Sequence, residues 1–390
     1  MSLEKNFQLD FPSIWQAVEP ASHCSGITVA SGAADPHLLG MGARGISQLH
    51  ELTPENLAKR IVLFSYATDS TNGSDGQHKL FSRIRSALYN LCDSHLRPYC
   101  AATQRPYPLR ELVDSAVQLD SVQQQLHKVS LAVVDAGALC ASLPEVSANS
   151  DAPIRFQVQD MMARVLACKP ALVIVCSDSC AHLETIYGSH ASAVQASVLP
   201  LIMFSSRMSF SQASSDDRRA HGLRMLHDYR AQLVNGRAML QLGIQRERNT
   251  QSDYELALKH GVWIIEYLYL MGCWRNALNG REVSAIEHVH DHLDKVSSLG
   301  WSKSEHGLQV AFSLDVLSDQ WNIGISNASP FGCSLQELGS VLTYLGRTGL
   351  CRVLHIMGAT NSDPGAGRAA EIIATLIYKL VVLREEYSEC

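Results

Sequence analysis

The stretch Leu201-Ile-Met-Phe-Ser-Ser-Arg-Met-Ser209 decides how this sequence is interpreted. A short apolar run ends abruptly in small polar residues, which is typical of a parallel strand that stops at the site-bearing edge of an α/β sheet. If the strand continued, Ser205, Arg207 and Ser209 would point to one side, because side chains alternate along a strand. The same spacing filled with Asp, His and Asp would form a metal-binding edge, but here serine and arginine stand in those places.

Short apolar runs alternate with helical segments on both sides of this stretch. The predicted strands lie at 27–30, 61–66, 129–135, 171–176, 198–204, 238–242, 262–265, 307–314 and 353–357. The predicted helices lie at 80–91, 109–126, 156–168, 181–190, 220–234, 250–259, 282–296, 334–347 and 367–386. This alternation predicts the α/β class, with a central parallel sheet flanked by helices on both faces. The functional site of such a fold lies in the loops after the carboxyl ends of the strands.

The predicted domain organisation is simple. Residues 1–26 are interpreted as an N-terminal arm and residues 27–390 as a single α/β domain. Two loop insertions are predicted, near 68–76, where Ser, Asn, Asp and Gly predominate, and near 143–153. A glycine-rich loop is predicted between 32 and 45.

Composition narrows the class of protein. The chain has 390 residues, 46% of them hydrophobic, which is enough to bury a large core. A net charge of −6 without a basic run argues against a nucleic-acid partner. No apolar run approaches the ~20 residues that span a bilayer, and the N-terminus has no signal-peptide layout, so we expect a cytoplasmic protein without a membrane partner. The eleven cysteines form no C-x-x-C pair, which favours reduced thiols, although Cys390 is positioned to cross-link subunits on oxidation.

Three predicted strand ends carry polar clusters, Cys176-Ser-Asp-Ser-Cys180, Ser205-Ser-Arg-Met-Ser209 and Phe312-Ser-Leu-Asp-Val-Leu-Ser-Asp319. In order and spacing they resemble the ureohydrolase family of arginase, agmatinase and formiminoglutamase. That family has Gly-Gly-Asp-His-Ser, Asp-Ala-His-x-Asp and Ser-Phe-Asp-x-Asp-x-x-Asp-Pro at three successive strand ends. Flanking segments also match, namely Gly42-Ala-Arg-Gly45, Ala220-His-Gly222, Gln241-Leu-Gly-Ile244, Ser329-Pro-Phe-Gly332 and Leu354-His-Ile-Met357. The resemblance implies the three-layer arginase-like fold and assembly as a homo-trimer or a dimer of trimers.

The resemblance places the six metal-ligand positions at Ser179, Ser205, Arg207, Ser209, Ser313 and Asp315. The family uses His, Asp, His, Asp, Asp and Asp there to hold two manganese ions. A serine hydroxyl is neutral and a poor manganese ligand, and a protonated arginine repels a cation. Only Asp315 keeps the ligand type of the family. We therefore expect a lost metal site, without manganese or another cofactor.

The chemistry of the family is predicted to be lost with the metal, because water without a metal keeps a pKa of about 15.7 and supplies almost no hydroxide. His221 stands at the position of a proton-shuttling histidine, and Gly358 replaces the glutamate that holds the substrate guanidinium. The first hypothesis is thus a catalytically inactive arginase-like protein that acts through binding, assembly or regulation. The alternative is a ureohydrolase that hydrolyses a guanidino or formimino compound with weak or altered metal dependence. A third hypothesis is a cleft that binds a small anion or amino acid without turnover.

Two further patterns have competing interpretations. Arg207 either pairs with Asp315, which would otherwise be a buried unpaired carboxylate, with Asp178 as a candidate second acid, or caps a strand edge. The segment Glu287-His-Val-His-Asp-His292 places two histidines four residues apart on one helical face. That spacing can hold a metal, but a solvated polar face is favoured.

Overall fold

A computed structural model gives the fold. It describes residues 44–45, 58, 61–66, 83–84, 87, 99–100, 105–106, 133–139, 152–177, 183–208, 235–270, 284–319, 330–358 and 366–381.

The strands and helices follow the alternation of the sequence. The strands are β1 (Arg44–Gly45), β2 (Ile61–Tyr66), β3 (Tyr99–Cys100), β4 (Arg105–Pro106), β5 (Val133–Leu139), β6 (Leu172–Ser177), β7 (Leu201–Phe204), β8 (Met239–Ile244), β9 (Trp263–Glu266), β10 (Leu308–Ser313) and β11 (Cys351–Met357). The helices are α1 (Ala152–Ala167), α2 (Leu183–Ala193), α3 (Gln251–His260), α4 (Tyr267–Leu270), α5 (Ala285–Ser297), α6 (Lys303–His306), α7 (Leu335–Arg347) and α8 (Ala366–Val381). Short 3-10 turns lie at Gly236–Ala238, Arg246–Arg248 and Leu314–Val316.

Within the described residues, nine strands form one sheet in the order β1-β5-β2-β6-β11-β10-β7-β8-β9. Every pairing in this sheet is parallel. Strands β3 and β4 form a separate antiparallel pair. Because parallel strands end at the same edge, the loops after β6, β11, β10, β7 and β8 are neighbours there.

The sheet is buried on both faces. Along β6, Leu172 and Ile174 pack into the core layer that contains α5, α7 and α8, whereas Val173 and Val175 pack into the opposite layer with α1. A third cluster packs α2 and α3 on β7 and β8. Burial on both faces is why these strands are continuous apolar runs instead of alternating ones. The predicted α/β class is confirmed, with three layers and a central parallel sheet.

Helix starts are encoded locally by capping boxes. Helices α3, α5 and α7 begin after Thr250, Ser284 and Ser334, whose side chains accept from the backbone N–H three residues on. The acidic residue at that third position reaches back to the cap backbone in each case. Such reciprocal caps satisfy two otherwise unpaired donors, and this explains why these predicted starts lie close to the observed ones.

Several predicted boundaries are wrong for physical reasons. Strand β7 begins at Leu201, not at residue 198, because Pro200 has no N–H for the ladder. Helix α1 begins at Ala152, so the end of the loop predicted at 143–153 is helical; Pro153 is tolerated in a first turn. Arg44–Gly45, predicted within a glycine-rich loop, pairs with β5.

The predicted arm at 1–26, the strand at 27–30, the insertion at 68–76 and the helices at 109–126 and 220–234 lie outside the described residues. In the part of the chain that is described, no helix is both long and apolar enough to cross a membrane.

Candidate functional site

The candidate site lies where β7 ends. Strand β7 is held between β10 and β8 by parallel pairing on both sides. The ladder continues for two more bonds, since the Ser205 N–H donates to the Leu242 carbonyl at 3.1 Å and the Gln245 N–H donates to the Ser206 carbonyl at 3.0 Å. Ser205 and Ser206 are both buried. The chain then bends at Ser206 and Arg207, so the residues that follow do not continue the strand.

Ser205 closes this bend with its own side chain. Its hydroxyl donates to the Arg207 carbonyl at 2.8 Å and accepts from the Arg207 N–H at 3.1 Å. The Asp315 carboxylate is a more distant acceptor, at 3.4 Å from the Ser205 Oγ. Because the Ser205 hydroxyl has one proton, it donates to the Arg207 carbonyl, which is the closer of the two acceptors. Ser205 therefore acts mainly as a turn residue.

Asp315 is held by Ser206. The carboxylate lies in the 3-10 turn after β10, and its Oδ2 accepts from the Ser206 Oγ at 2.5 Å. Its Oδ1 lies 3.4 Å from the Ser206 backbone nitrogen. A hydroxyl donor at this distance forms a charge-assisted hydrogen bond, which is roughly twice as strong as a neutral one. Asp315, the predicted ligand position that has a carboxylate, thus has donors from the chain itself.

Of the two interpretations of Arg207, the ion pair with Asp315 is not observed. Within the described residues, Arg207 and Asp315 form no ion pair, because no Arg207 nitrogen lies within 4.0 Å of an Asp315 carboxylate oxygen. The Arg207 Nε atom is buried and has no hydrogen-bond partner among those residues. Ser206 supplies the donors instead, because the bend after β7 brings this residue, and not Arg207, against the carboxylate. Arg207 is consequently a partly buried cation at the edge of the sheet.

Asn249 joins the loops that follow β7 and β8. Its side-chain nitrogen donates to the carbonyls of Ser206 at 3.0 Å and Gln245 at 2.6 Å, and its side-chain oxygen accepts from the Met208 N–H at 2.7 Å. One side-chain amide therefore forms hydrogen bonds to the residues on both sides of Arg207. These bonds connect the loop after β7 to the 3-10 turn that carries Arg248.

Arg248 lies in the same electrostatic environment. Burial lowers the pKa of its guanidinium, and the neighbouring Arg207 lowers this pKa further. Asp315 and Glu247 act in the opposite direction. The charges of these two arginines and of Asp315 therefore influence one another at the carboxyl edge of the sheet.

Ser313 is the last residue of β10, and Gly358 directly follows the adjacent strand β11. Ser313 is paired with Met357, and a Cβ built on Gly358 would lie 3.9 Å from the Ser313 Oγ. Gly358 has a φ of +85°, a conformation in which other residues are strained. A glutamate at this position would therefore need a strained backbone conformation.

The structure therefore brings two groups of predicted positions to one edge, Ser205, Arg207 and Asp315 on one side and Ser313 with Gly358 on the other. The predicted positions Ser179, Ser209 and His221 lie outside the described residues, as does Asp178. Their roles stay predictions.

Sequence reasoning missed Ser206, Arg248 and Asn249. A signal was present, because the polar run Gln245-Arg-Glu-Arg-Asn249 follows a strand directly.

A buried polar cluster beside the site was also missed. The His355 Nε2 lies 2.8 Å from the Ser177 Oγ and 3.2 Å from the Tyr66 hydroxyl oxygen, across three neighbouring strands.

The histidines of α5 are not a solvated face as predicted. His292 is buried, its Nε2 lies 3.2 Å from the Ala238 carbonyl oxygen, and its ring packs against Trp263. Of the three, His290 is the exposed one. His292 shares the buried stripe of Val289 and Val296, which places it in the core. Among the described residues, no three His, Cys, Asp or Glu side chains are grouped so that they could hold a metal ion.

Comparison with solved structures identifies the fold. The formimidoylglutamase from Bacillus subtilis superposes with a TM-score of 0.57 at 14% identity, covering 84% of this chain and 92% of that chain. The arginase from Bacillus subtilis superposes with a TM-score of 0.57 at 14% identity, covering 83% of this chain and 98% of that chain. The formiminoglutamase from Trypanosoma cruzi with Mn2+ superposes with a TM-score of 0.56 at 15% identity, covering 85% of this chain and 97% of that chain.

The chain has the arginase-like fold. The predicted three-layer architecture is therefore confirmed by the geometry and by the comparison. No family model matches the sequence, and no curated protein matches it in a sequence search. In this arginase-like fold, the loops after β7 and β10 carry serine and arginine beside one carboxylate.

Proposed function

We propose that this chain is a member of the ureohydrolase family that neither binds manganese nor hydrolyses arginine. The main support is Arg207, which lies at the end of β7, where the resemblance puts a metal-binding histidine. Arginine stays protonated at all physiological pH values and cannot coordinate a cation. The solved relative from Trypanosoma cruzi carries Mn2+, and this chain is expected to differ from it in that respect.

Electrostatics decides how strongly Arg207 opposes a metal. Two unit charges ~4 Å apart in an environment with an effective dielectric constant of about 20 interact by about 4 kcal/mol. A divalent ion at that distance from a guanidinium would be repelled by roughly 8 kcal/mol. A serine in place of aspartate merely withholds an attraction, whereas this arginine adds a repulsion. Arg207 is thus the most informative substitution of the site.

The remaining donors do not fit a binuclear metal site. The Ser205 hydroxyl is engaged in its own bend, and Asp315 already accepts from Ser206 at 2.5 Å. A metal would have to displace these bonds and would gain one carboxylate. Without a metal-bound hydroxide the hydrolytic reaction of the family has no nucleophile, and Gly358 offers no carboxylate to a guanidinium.

The proposed role is therefore binding, assembly or regulation. The resemblance favours a homo-trimer or a dimer of trimers, and the cytoplasm is the proposed location. Nucleic acid and membrane surfaces are not proposed as partners, because the net charge is −6.

A reversal experiment tests the proposal at the residue level. The variant restores the family residues through the substitutions Ser205→Asp, Arg207→His, Ser209→Asp and Ser313→Asp. We expect this variant to bind manganese, seen as a rise in Tm on adding the ion and as retained metal after desalting. The matched control carries the three aspartates but keeps Arg207, and it should bind at least tenfold more weakly. A folded fourfold variant without manganese affinity would count against the proposed positions.

The alternative function is a ureohydrolase with weak or altered metal dependence. Asp315 favours it, because this carboxylate is a family-type ligand that the chain retains. Such an enzyme would hydrolyse arginine, agmatine or formiminoglutamate when supplied with manganese. Turnover that scales with bound metal, and that is lost in an Asp315→Asn variant, would establish this alternative.

A further inference from the structure

The arginines at the carboxyl edge of the sheet suggest what the metal-free site binds. Arg207 follows β7 and Arg248 follows β8, and these strands are hydrogen-bonded neighbours. Asn249 ties the two loops together by bonding to the residues on both sides of Arg207. The guanidinium groups are therefore carried by one rigid unit and not by two independent loops.

Among the described residues, no ion pair offsets the charge of Arg207. The Asp315 carboxylate is nearby, but its donors are hydroxyl and backbone groups of Ser205 and Ser206. Glu247 is the other nearby acid, but it is exposed, so water and salt screen its charge. In the described part of the chain, the Arg207 guanidinium therefore has no carboxylate paired with it.

One donor at this edge lacks an acceptor. Within the described part of the chain, the Arg207 Nε atom is buried and makes no hydrogen bond. A buried donor without an acceptor costs about 1–3 kcal/mol, more when the group is charged. Native structures rarely keep such a group unless water, an ion or a ligand supplies the acceptor. The missing partner must be an acceptor, and beside a cation it is best an anion.

We propose that Arg207 and Arg248 form a binding site for a small oxyanion, a carboxylate or phosphate group, where related enzymes hold metal cations. The flat guanidinium fork donates two parallel hydrogen bonds that match the oxygens of either group. This inference rests on the proposed function, because bound manganese and a bound anion would compete for the same edge. The anion is bound and not transformed.

Titration of the full-length protein with inorganic phosphate and with malonate tests the site and distinguishes the two anion classes. Calorimetry in a chloride buffer at constant ionic strength should give saturable binding of at least one of them. The Arg207→Gln variant should bind at least tenfold more weakly, and Arg207→Lys should lose affinity to a smaller extent because it keeps the charge but not the fork. Arg246→Gln is the matched control, since Arg246 lies in the same 3-10 turn as Arg248 and its side chain is 76% exposed.

The results separate this site from the proposed function. Binding of neither anion, or equal affinity of wild type and Arg207→Gln, would overturn the oxyanion site while leaving the absence of manganese intact. Equal weakening by Arg246→Gln would also overturn it, because the effect would then be a general one of net charge. If Arg207→Gln does not fold, Arg207→Lys and Arg248→Gln give the same comparison against the control.

Discussion

His292 should give this protein a measurable loss of stability in mild acid. The side chain is 1% exposed on the core side of α5. Burial lowers its pKa from 6.5 to about 4, with the Ala238 carbonyl opposing the shift and Lys295 adding to it. The unfolded chain therefore binds a proton more readily than the folded chain between these two pH values. The stability contributed by neutral His292 is present above about pH 6.5 and is lost as the pH falls towards 4.

The magnitude follows from the difference between the two pKa values. Each pKa unit corresponds to about 1.36 kcal/mol, so the full effect is about 3 kcal/mol. Linkage gives a loss of about 2 kcal/mol between about pH 7.5 and about pH 5.0. His190 is also buried, and burial lowers its pKa to about 4. The His190 contribution to the loss of stability is the same in wild type and in a His292 variant, so it cancels when the two are compared.

Urea unfolding followed by circular dichroism at a series of pH values measures this effect. We compare wild type with His292→Gln, whose amide can still donate to the Ala238 carbonyl. On going from about pH 7.5 to about pH 5.0, wild type should lose about 2 kcal/mol more than this variant. The control is His290→Gln on the same helix, since the His290 side chain is 57% exposed, and this variant should lose as much as wild type. Equal losses in wild type and His292→Gln would refute the assignment of a neutral buried histidine.

Three further substitutions probe the site and its support. Ser206→Ala removes the 2.5 Å bond to Asp315 and should lower the free energy of unfolding by about 2 kcal/mol, measured by urea denaturation. Gly243→Ala should cost about 3 kcal/mol in the same assay, because φ is +88° and the new Cβ would lie 2.3 Å from the Val316 Cγ2. Asn249→Ala removes three hydrogen bonds and should cost about 3 kcal/mol and weaken phosphate binding, measured by denaturation and calorimetry.

Each of these substitutions has a control in the same chain. Ser340→Ala removes one exposed bond to the Gln336 carbonyl and should cost well under 1 kcal/mol. Gly300 has a φ of +97° but nothing within 4 Å of a new Cβ. The Gly300→Ala variant therefore measures the free energy lost to the positive φ alone, without a steric clash. Asn235→Ala removes one exposed bond to the Arg237 N–H. Site variants no more destabilising than these controls would show that the contacts carry little energy.

The sheet was predictable because its strands are simple in sequence. Buried parallel strands are unbroken apolar runs, so β6 and β10 appear in the sequence within a residue of their observed bounds. The position of the site followed as well, since parallel strands collect their ends at one edge. The resemblance of three strand ends then gave the three-layer fold.

The contacts inside the site were not predictable by the same route. Strand alternation assigned Ser205, Arg207 and Ser209 to one side, but β7 ends at Phe204 and the chain bends. In this bend Ser206 meets Asp315. Sequence periodicity describes regular elements and does not describe the irregular turn that follows them.

His292 shows a related limit. Histidine is most often assigned to a polar face because of its type, yet the phase of α5 places it among Val289 and Val296. The helical period carried the correct information. Residue type was the wrong guide at that position.

The most direct test of the central claim is the manganese content of the purified full-length protein. The protein is incubated with excess MnCl2, desalted and analysed by mass spectrometry of the metal together with protein concentration. We expect far less than one manganese ion per chain and no hydrolysis of arginine, agmatine or formiminoglutamate above buffer controls. Two manganese ions per chain, retained through desalting and accompanied by turnover, would contradict the account.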